Sequence, residues 1–213
     1  MRFLTTTKQK LLGKDKTVDD DFELQRTRFK RLRDALQQAH KQVKKLSGEL
    51  KELAGAATSL APHVAELYDQ QRPAVGEQLK AHTNQFVVAS LECGEAVAEF
   101  DDYVKAKLDK CAALATAIDK RDEALLYADA KRDALASLRE KPPKDAAKLD
   151  EAEAKHEAAQ TAYAELNGPL IGELELFAGI SGDLEPRYRA FLQSQLRFAM
   201  SSTQAWSQMA ECV

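Results

Sequence analysis

Glycine and proline are too scarce here for a fold built on turns. The 213 residues hold 9 Gly and 6 Pro, whereas a sandwich or barrel of short strands needs turn signals about every ten positions. Cysteine is almost as sparse: Cys93, Cys111 and Cys212 form an odd, widely spaced set with no CxxC and no Cys/His ligand spacing, which excludes a disulfide framework and a zinc module. Reduced thiols are the expectation. No apolar run approaches the roughly 18 residues that a spanning helix needs, and Met1 to Gly13 lacks the apolar stretch and cleavage site of a secretory signal. We therefore expect a soluble, cytoplasmic protein.

Catalytic patterns are missing as well. The glycines form neither GxGxxG nor a P-loop, and His40, His63, His82 and His156 stand apart from any ligand-spaced partner. Pairs such as Asp119 and Glu123 are ordinary in a chain with 31% charged residues, where helical spacing yields surface ion pairs. The expectation is a protein with no enzymatic activity, no metal, no cofactor and no small-molecule substrate.

What is present is long, Ala-, Leu-, Glu- and Lys-rich sequence that favours helix. The two prolines of Glu140-Lys141-Pro142-Pro143-Lys144-Asp145 lack amide donors and crowd the preceding turn, so the chain reverses there. Asp145 is placed to cap the returning helix. Thr17 followed by Asp19, Asp20 and Asp21 marks an earlier helix start, with a Thr cap and acids that complement the helix dipole. From it the positions Phe22, Gln25, Phe29, Leu32, Leu36, Ala39, Val43, Leu46, Leu50, Leu53, Ala57, Leu60, Val64 and Leu67 alternate spacings of three and four. That period of 3.5 specifies packed, supercoiled helices. Pro62 predicts a kink or an early end, and Pro73 suits the first position of the next helix.

The spacing predicts helix 1 over about 18–68, helix 2 over about 74–140 and helix 3 over about 145–209, with breaks near 168 and 182 at Asn167-Gly168-Pro169 and at Gly179, Gly182 and Pro186. Val75, Leu79, Phe86, Phe100, Val104, Leu108, Cys111, Leu114, Ile118, Leu125, Leu135 and Leu138 are core candidates of helix 2. The last segment is richer in large apolar residues than one helix face requires, and self-association is the simplest use of the excess. Residues 1–14 form a short separate segment. Phe3, Leu4 and Leu11 share a face in it, so it is either a short interfacial insertion helix or an untethered terminus.

Net charge is only −3, but its distribution is polarised. Nine bases between Arg26 and Lys51 face Asp34 and Glu49, and nine acids between Asp150 and Glu185 face Lys155. Lys120, Arg121, Lys131 and Arg132 lead to Arg139, Lys141, Lys144 and Lys148 at the reversal. Such a stripe suits an anionic bilayer, yet Asp122, Glu123, Asp129, Asp133 and Glu140 are interleaved with it, and on these residues alone a solvated face of mixed charge is the better reading. Nucleic acid is not expected as a partner, because the basic stretch lacks interleaved aromatics and a recognition motif.

Lys120-Arg121-Asp122, Asp129, Leu135, Leu138, Lys141-Pro142, Lys144-Asp145-Ala146, Lys148-Leu149, Leu166-Asn167, Pro186 and Gln195-Leu196-Arg197-Phe198 resemble the core of a BAR domain. The likeness is to amphiphysin, the bridging integrators and the fungal Rvs-type proteins, and it extends to Asp15-Lys16-Thr17, Asp19, Phe22 and Leu67-Tyr68-Asp69. It implies an all-α fold over 15–213, an elongated antiparallel three-helix coiled coil that pairs into a crescent-shaped homodimer. The resemblance further implies lipid binding through Lys120, Arg121, Arg132, Lys141, Lys144 and Lys148, to which the cationic stripe adds Lys131 and Arg139, and a dimer interface with Leu32, Leu36, Phe191, Leu196 and Phe198. A heterodimer with another BAR protein is open on the same grounds. The implied role is sensing or generating membrane curvature in endocytosis or trafficking, peripheral on anionic phospholipid. The alternative is a dimeric scaffold for protein partners or the cortical cytoskeleton. Relatives carry a longer insertion helix and further bases where this chain has Glu123, Ala124 and Leu125. With no SH3 domain after helix 3, the expectation is a bare BAR protein or one domain of a longer chain.

Overall fold

The computed structural model describes residues 19–69, 71–143 and 145–212, and among these all the regular structure is helical. Helix α1 spans Asp20–Asp69, α2 Pro73–Glu140, α3 Ala147–Ala178 and α4 Ser181–Cys212. The expected third helix is thus divided into α3 and α4. Thr17 lies outside the described residues; Asp19 caps α1, its Oδ1 accepting from the Phe22 amide at 3.0 Å. Asp145 Oδ1 accepts from the Ala147 amide at 3.1 Å at the start of α3. Each carboxylate satisfies an amide that has no partner within its helix.

Two expected interruption points do not end their helices. Pro62 lies inside α1, which continues to Asp69, and Pro169 lies inside α3, which continues to Ala178. A proline costs a helix interior about 3 kcal/mol, but packing that follows each one offsets it. Leu170 and Leu174 are buried just after Pro169, as is Ala65 after Pro62. The chain departs from the helix at Gly179 and Ile180.

The chain forms two compact units, residues 1–31 with 110–178 and residues 32–109 with 179–213. In the first, Gln25 Nε2 donates to Glu175 Oε1 at 3.3 Å and Phe29 meets Phe177 edge-on at 5.9 Å, so α1 and α3 run the same way. Arg121 contacts Tyr163 while Arg139 contacts Glu153, so α2 and α3 are antiparallel. Gln25, the polar residue of the apolar seam, is buried against this carboxylate partner.

In the second unit α1 is antiparallel to α2. His40 Nδ1 lies 2.6 Å from Asp101 Oδ1, and Ala57 clusters with Phe86 and Ala205. Helices α2 and α4 are joined by aromatic contacts running in opposite directions along the two helices: Phe100 with Phe191 at 5.0 Å and Phe86 with Trp206 at 5.4 Å. Leu36, Val43, Leu50 and Ala57 of α1 are buried at seven-residue spacing. The other half of the expected seam diverges: Leu32, Ala39 and Leu46 are half-buried, and Leu53, Leu60 and Leu67 are exposed. One apolar row of α1 packs within the chain, and among the described residues the second is only partly covered.

Candidate functional site

The reversal between α2 and α3 carries Lys141 and Lys148, both exposed; Lys144 lies outside the described residues. Arg139 is exposed too, but its Nη2 sits 2.8 Å from Glu153 Oε1 on α3. Further back on α2, Lys120 is exposed. Lys131 is half-buried with its ammonium 4.8 Å from the centroid of the Tyr127 ring. Arg132 is half-buried and bridges Asp129 at 3.0 Å and Asp133 at 3.4 Å. The interleaved acids therefore engage part of the cationic stripe.

Arg121 corrects the expectation of a lipid-facing role. Its side chain is 2% exposed and sits inside the first unit. The Nε donates to Asn167 Oδ1 at 2.8 Å, Nη1 to Asp122 Oδ1 at 3.2 Å, and Nη2 to Asp19 Oδ2 at 3.1 Å and to the Tyr163 hydroxyl at 2.6 Å. The guanidinium also covers the Phe22 ring at 3.8 Å from its centroid. A planar fork with five donors suits a buried site of this kind. The Asp19 carboxylate in turn accepts from Asn167 Nδ2 at 2.9 Å and from the Tyr163 hydroxyl at 3.2 Å.

Burial by itself would raise the Asp19 pKa. The Phe22 amide, Asn167, Tyr163 and the Arg121 charge together outweigh it and hold the carboxyl below its ordinary value. Burial is also the first cause that pushes the Tyr163 phenol up, and the Asp19 charge adds to it. The constellation ties the first turn of α1 to α2 and α3. Sequence reasoning did not assemble it, because its members are separated by 102 and 46 residues and no local spacing links them. His40 and Asp101, 61 residues apart, escaped for the same reason. Among the described residues no group of three or more His, Cys, Asp or Glu is placed to hold a metal ion. No described helix is long and apolar enough to cross a membrane.

The family model for the BAR domain matches residues 1–212. The chain belongs to the BAR domain family. Among curated proteins, it is 28% identical over 208 residues to the "Regulator of cytoskeleton and endocytosis RVS161" of Candida albicans, covering 92% of this chain and 77% of that protein. It is 26% identical over 206 residues to the "Reduced viability upon starvation protein 161" of Saccharomyces cerevisiae, with the same coverage. Among solved structures, the amphiphysin BAR domain from Drosophila superposes with a TM-score of 0.80 at 19% identity, covering 94% of each chain. That likeness carries the fold.

With the BAR fold established, the residues expected at a dimer interface divide by environment. Leu36 is buried within its own chain, Leu32, Phe191 and Phe198 are half-buried, and Leu196 is 61% exposed. Leu32, Leu36, Leu46, Tyr188 and Phe191 line an open apolar groove of about 450 Å³ between α1 and α4. A second groove, of about 320 Å³, is lined by Leu60, Val64, Trp206 and Met209. Leu192, Met200 and Trp206 are also exposed on α4. Phe3, Leu4 and Leu11, expected to insert into a membrane, lie outside the described residues.

Proposed function

We propose that this BAR protein pairs with a second copy, or with a related BAR chain, into a crescent-shaped dimer. The dimer binds anionic membrane peripherally and senses or generates its curvature in endocytosis or trafficking. One observation carries the proposal: the uncovered apolar row Leu53, Leu60 and Leu67 on α1 together with Leu192, Leu196 and Met200 on α4. Isolated surface leucines are ordinary, but rows continuous with two apolar grooves match the core of an interface between subunits.

The membrane contact uses charge without chemistry. Lys120, Lys141 and Lys148 are exposed, and Lys144 and Arg139 belong to the same set in sequence. Lys131 and Arg132, partly engaged within the chain, contribute less, and Arg121 acts by holding the fold. Each exposed Lys or Arg near an anionic leaflet contributes about 1 kcal/mol, with the attraction fading within a Debye length. The name of the Candida relative links that protein to endocytosis and the cytoskeleton, which fits this reading.

Sedimentation with phosphatidylserine vesicles tests it. Binding is expected at low salt and lost at high salt, and changing Lys141, Lys144 and Lys148 together to Glu should abolish it. A variant that binds as well as the parent would remove the tip from the contact. The ion pairs that occupy Arg132 and Arg139 favour a second reading, a dimeric scaffold for protein partners with weak lipid affinity. Absence of binding to any anionic vesicle would select it.

A further inference from the structure

The two apolar grooves of the second unit each hold a polar group that nothing in the chain satisfies. The groove of about 450 Å³ between α1 and α4 is lined by apolar side chains apart from Gln42 and Tyr188. Gln42 is exposed and shares the outer row of α1 with Ala35, one heptad earlier, while Leu36 and Val43 beside them are buried. In the groove of about 320 Å³ only Thr83 and Trp206 carry an oxygen or nitrogen in the side chain. Thr83 already donates to Met209 Sδ at 3.6 Å. Trp206 is 49% exposed, with its ring against Phe86. Among the described residues neither the Gln42 carboxamide nor the Trp206 indole N–H has a hydrogen-bond partner.

Exposed Leu53 on α1 and exposed Leu192, Leu196 and Met200 on α4 fall between the grooves. From Leu32 to Val64 this surface follows about 48 Å of α1, and at the width of two helices it covers on the order of 1,000 Å². A stable complex buries about 800 Å² per partner, so one second copy suffices to cover it. A surface that pairs with its own copy is crossed at its middle by the two-fold axis, and its two ends then meet each other. In a crescent the copies point in opposite directions, so the axis crosses the helices. Midway between the grooves stand Leu50 on α1 and Phe198 on α4. Gln42 lies eight residues before Leu50, which sets it level with Thr58 of the second copy. Ala57, next to Thr58, clusters with Ala205, next to Trp206.

We propose that the Trp206 indole of a second copy enters the larger groove and donates its N–H to the Gln42 carboxamide, once on each side of the axis, and that this pair selects the partner. The inference rests on the dimer reading above and gives that dimer its specificity-determining residues. An indole has a donor and no acceptor, and a carboxamide oxygen accepts through two lone pairs, so the two groups match. Either one enclosed among apolar side chains without the other loses its hydration with nothing in return. A polar group in an apolar seam therefore weakens association in general but fixes register and partner choice. A chain with no donor at the level of Trp206 leaves the Gln42 amide unpaired and is rejected.

The test uses the full chain as parent, Gln42→Leu, Trp206→Phe and the variant with both changes, with helicity checked by circular dichroism. Sedimentation equilibrium should show each single change weakening the dimer about tenfold or more, because each leaves a buried polar group without its partner. The combined variant, with both polar groups removed, should dimerise more tightly than either single one. Mixing the two single variants, tagged to differ in mass, supplies a readout that general destabilisation does not move. The mixed dimer keeps one Gln42–Trp206 pair and sets Leu against Phe on the other side, so native mass spectrometry should find it in excess of random pairing. If the parent dimerises but the single variants mix at random, the Gln42–Trp206 pair is overturned and the dimer reading stands. A parent that sediments as one chain at every concentration would overturn both.

Discussion

Arg121 Nη2 lies 3.1 Å from Asp19 Oδ2, joining the middle of the chain to the residue that caps its first described helix. Removing one member of a buried pair leaves the other charge uncompensated, at a cost of about 3–5 kcal/mol. Asp19 keeps some solvent contact, so Arg121→Ala should fall at the lower end, about 3 kcal/mol. Arg121→Lys should recover little of this, because an ammonium cannot reproduce the fork to Asn167, Tyr163 and Asp19. Urea unfolding followed by circular dichroism measures both. A neutral Arg121→Ala would return Arg121 to the list of surface cations.

The same carboxylate predicts a pH dependence. Its folded pKa is depressed, so its contribution is present above the ordinary Asp value of about 4 and disappears as pH falls through the folded value. Acid should therefore lower the melting temperature of the parent more steeply than that of Asp19→Asn. Melts from neutral pH downward check this, and parallel acid limbs would show that the Asp19 charge is not linked to folding.

Leu36 and Leu196 should respond differently to substitution. Leu36 is buried in its own chain, so Leu36→Ala should destabilise each subunit by about 2–4 kcal/mol. Leu196 is exposed, so Leu196→Asp, alone or with Leu60→Asp, should leave helicity intact and lower the sedimenting mass to that of one chain. A dimer that survives the double change would place the interface elsewhere.

Glu153→Gln offers a gain of binding. The Arg139–Glu153 pair is exposed, and such a pair contributes about 0–1 kcal/mol to stability. Releasing Arg139 and removing a negative charge should strengthen partition onto phosphatidylserine vesicles by about fivefold, the equivalent of about 1 kcal/mol. Unchanged partition would show that Arg139 does not approach the lipid.

Helical content and the reversal at Pro142 and Pro143 were legible because they depend on local chemistry: missing amides, capping carboxylates and long stretches of good helix formers. The apolar seam of α1 was legible as a period but not as an environment. Leu36 and Leu60 occupy equivalent-looking places in that pattern, yet one is buried and the other exposed, because only the positions of α2 and α4 decide which row is covered. The prolines at 62 and 169 do not end their helices, for a related reason. A local penalty of about 3 kcal/mol is smaller than the packing that surrounds it.

By itself the sequence determined an all-helical chain that reverses at a basic turn, since periodicity and turn chemistry are written in neighbouring residues. Only the tertiary structure decided what its charges do. Arg121 and Lys120 are adjacent in sequence, but α1 and α3 enclose one and leave the other in solvent. Burial depends on helices brought together from distant parts of the chain, and it separates a cation that holds the fold from one free to meet a surface.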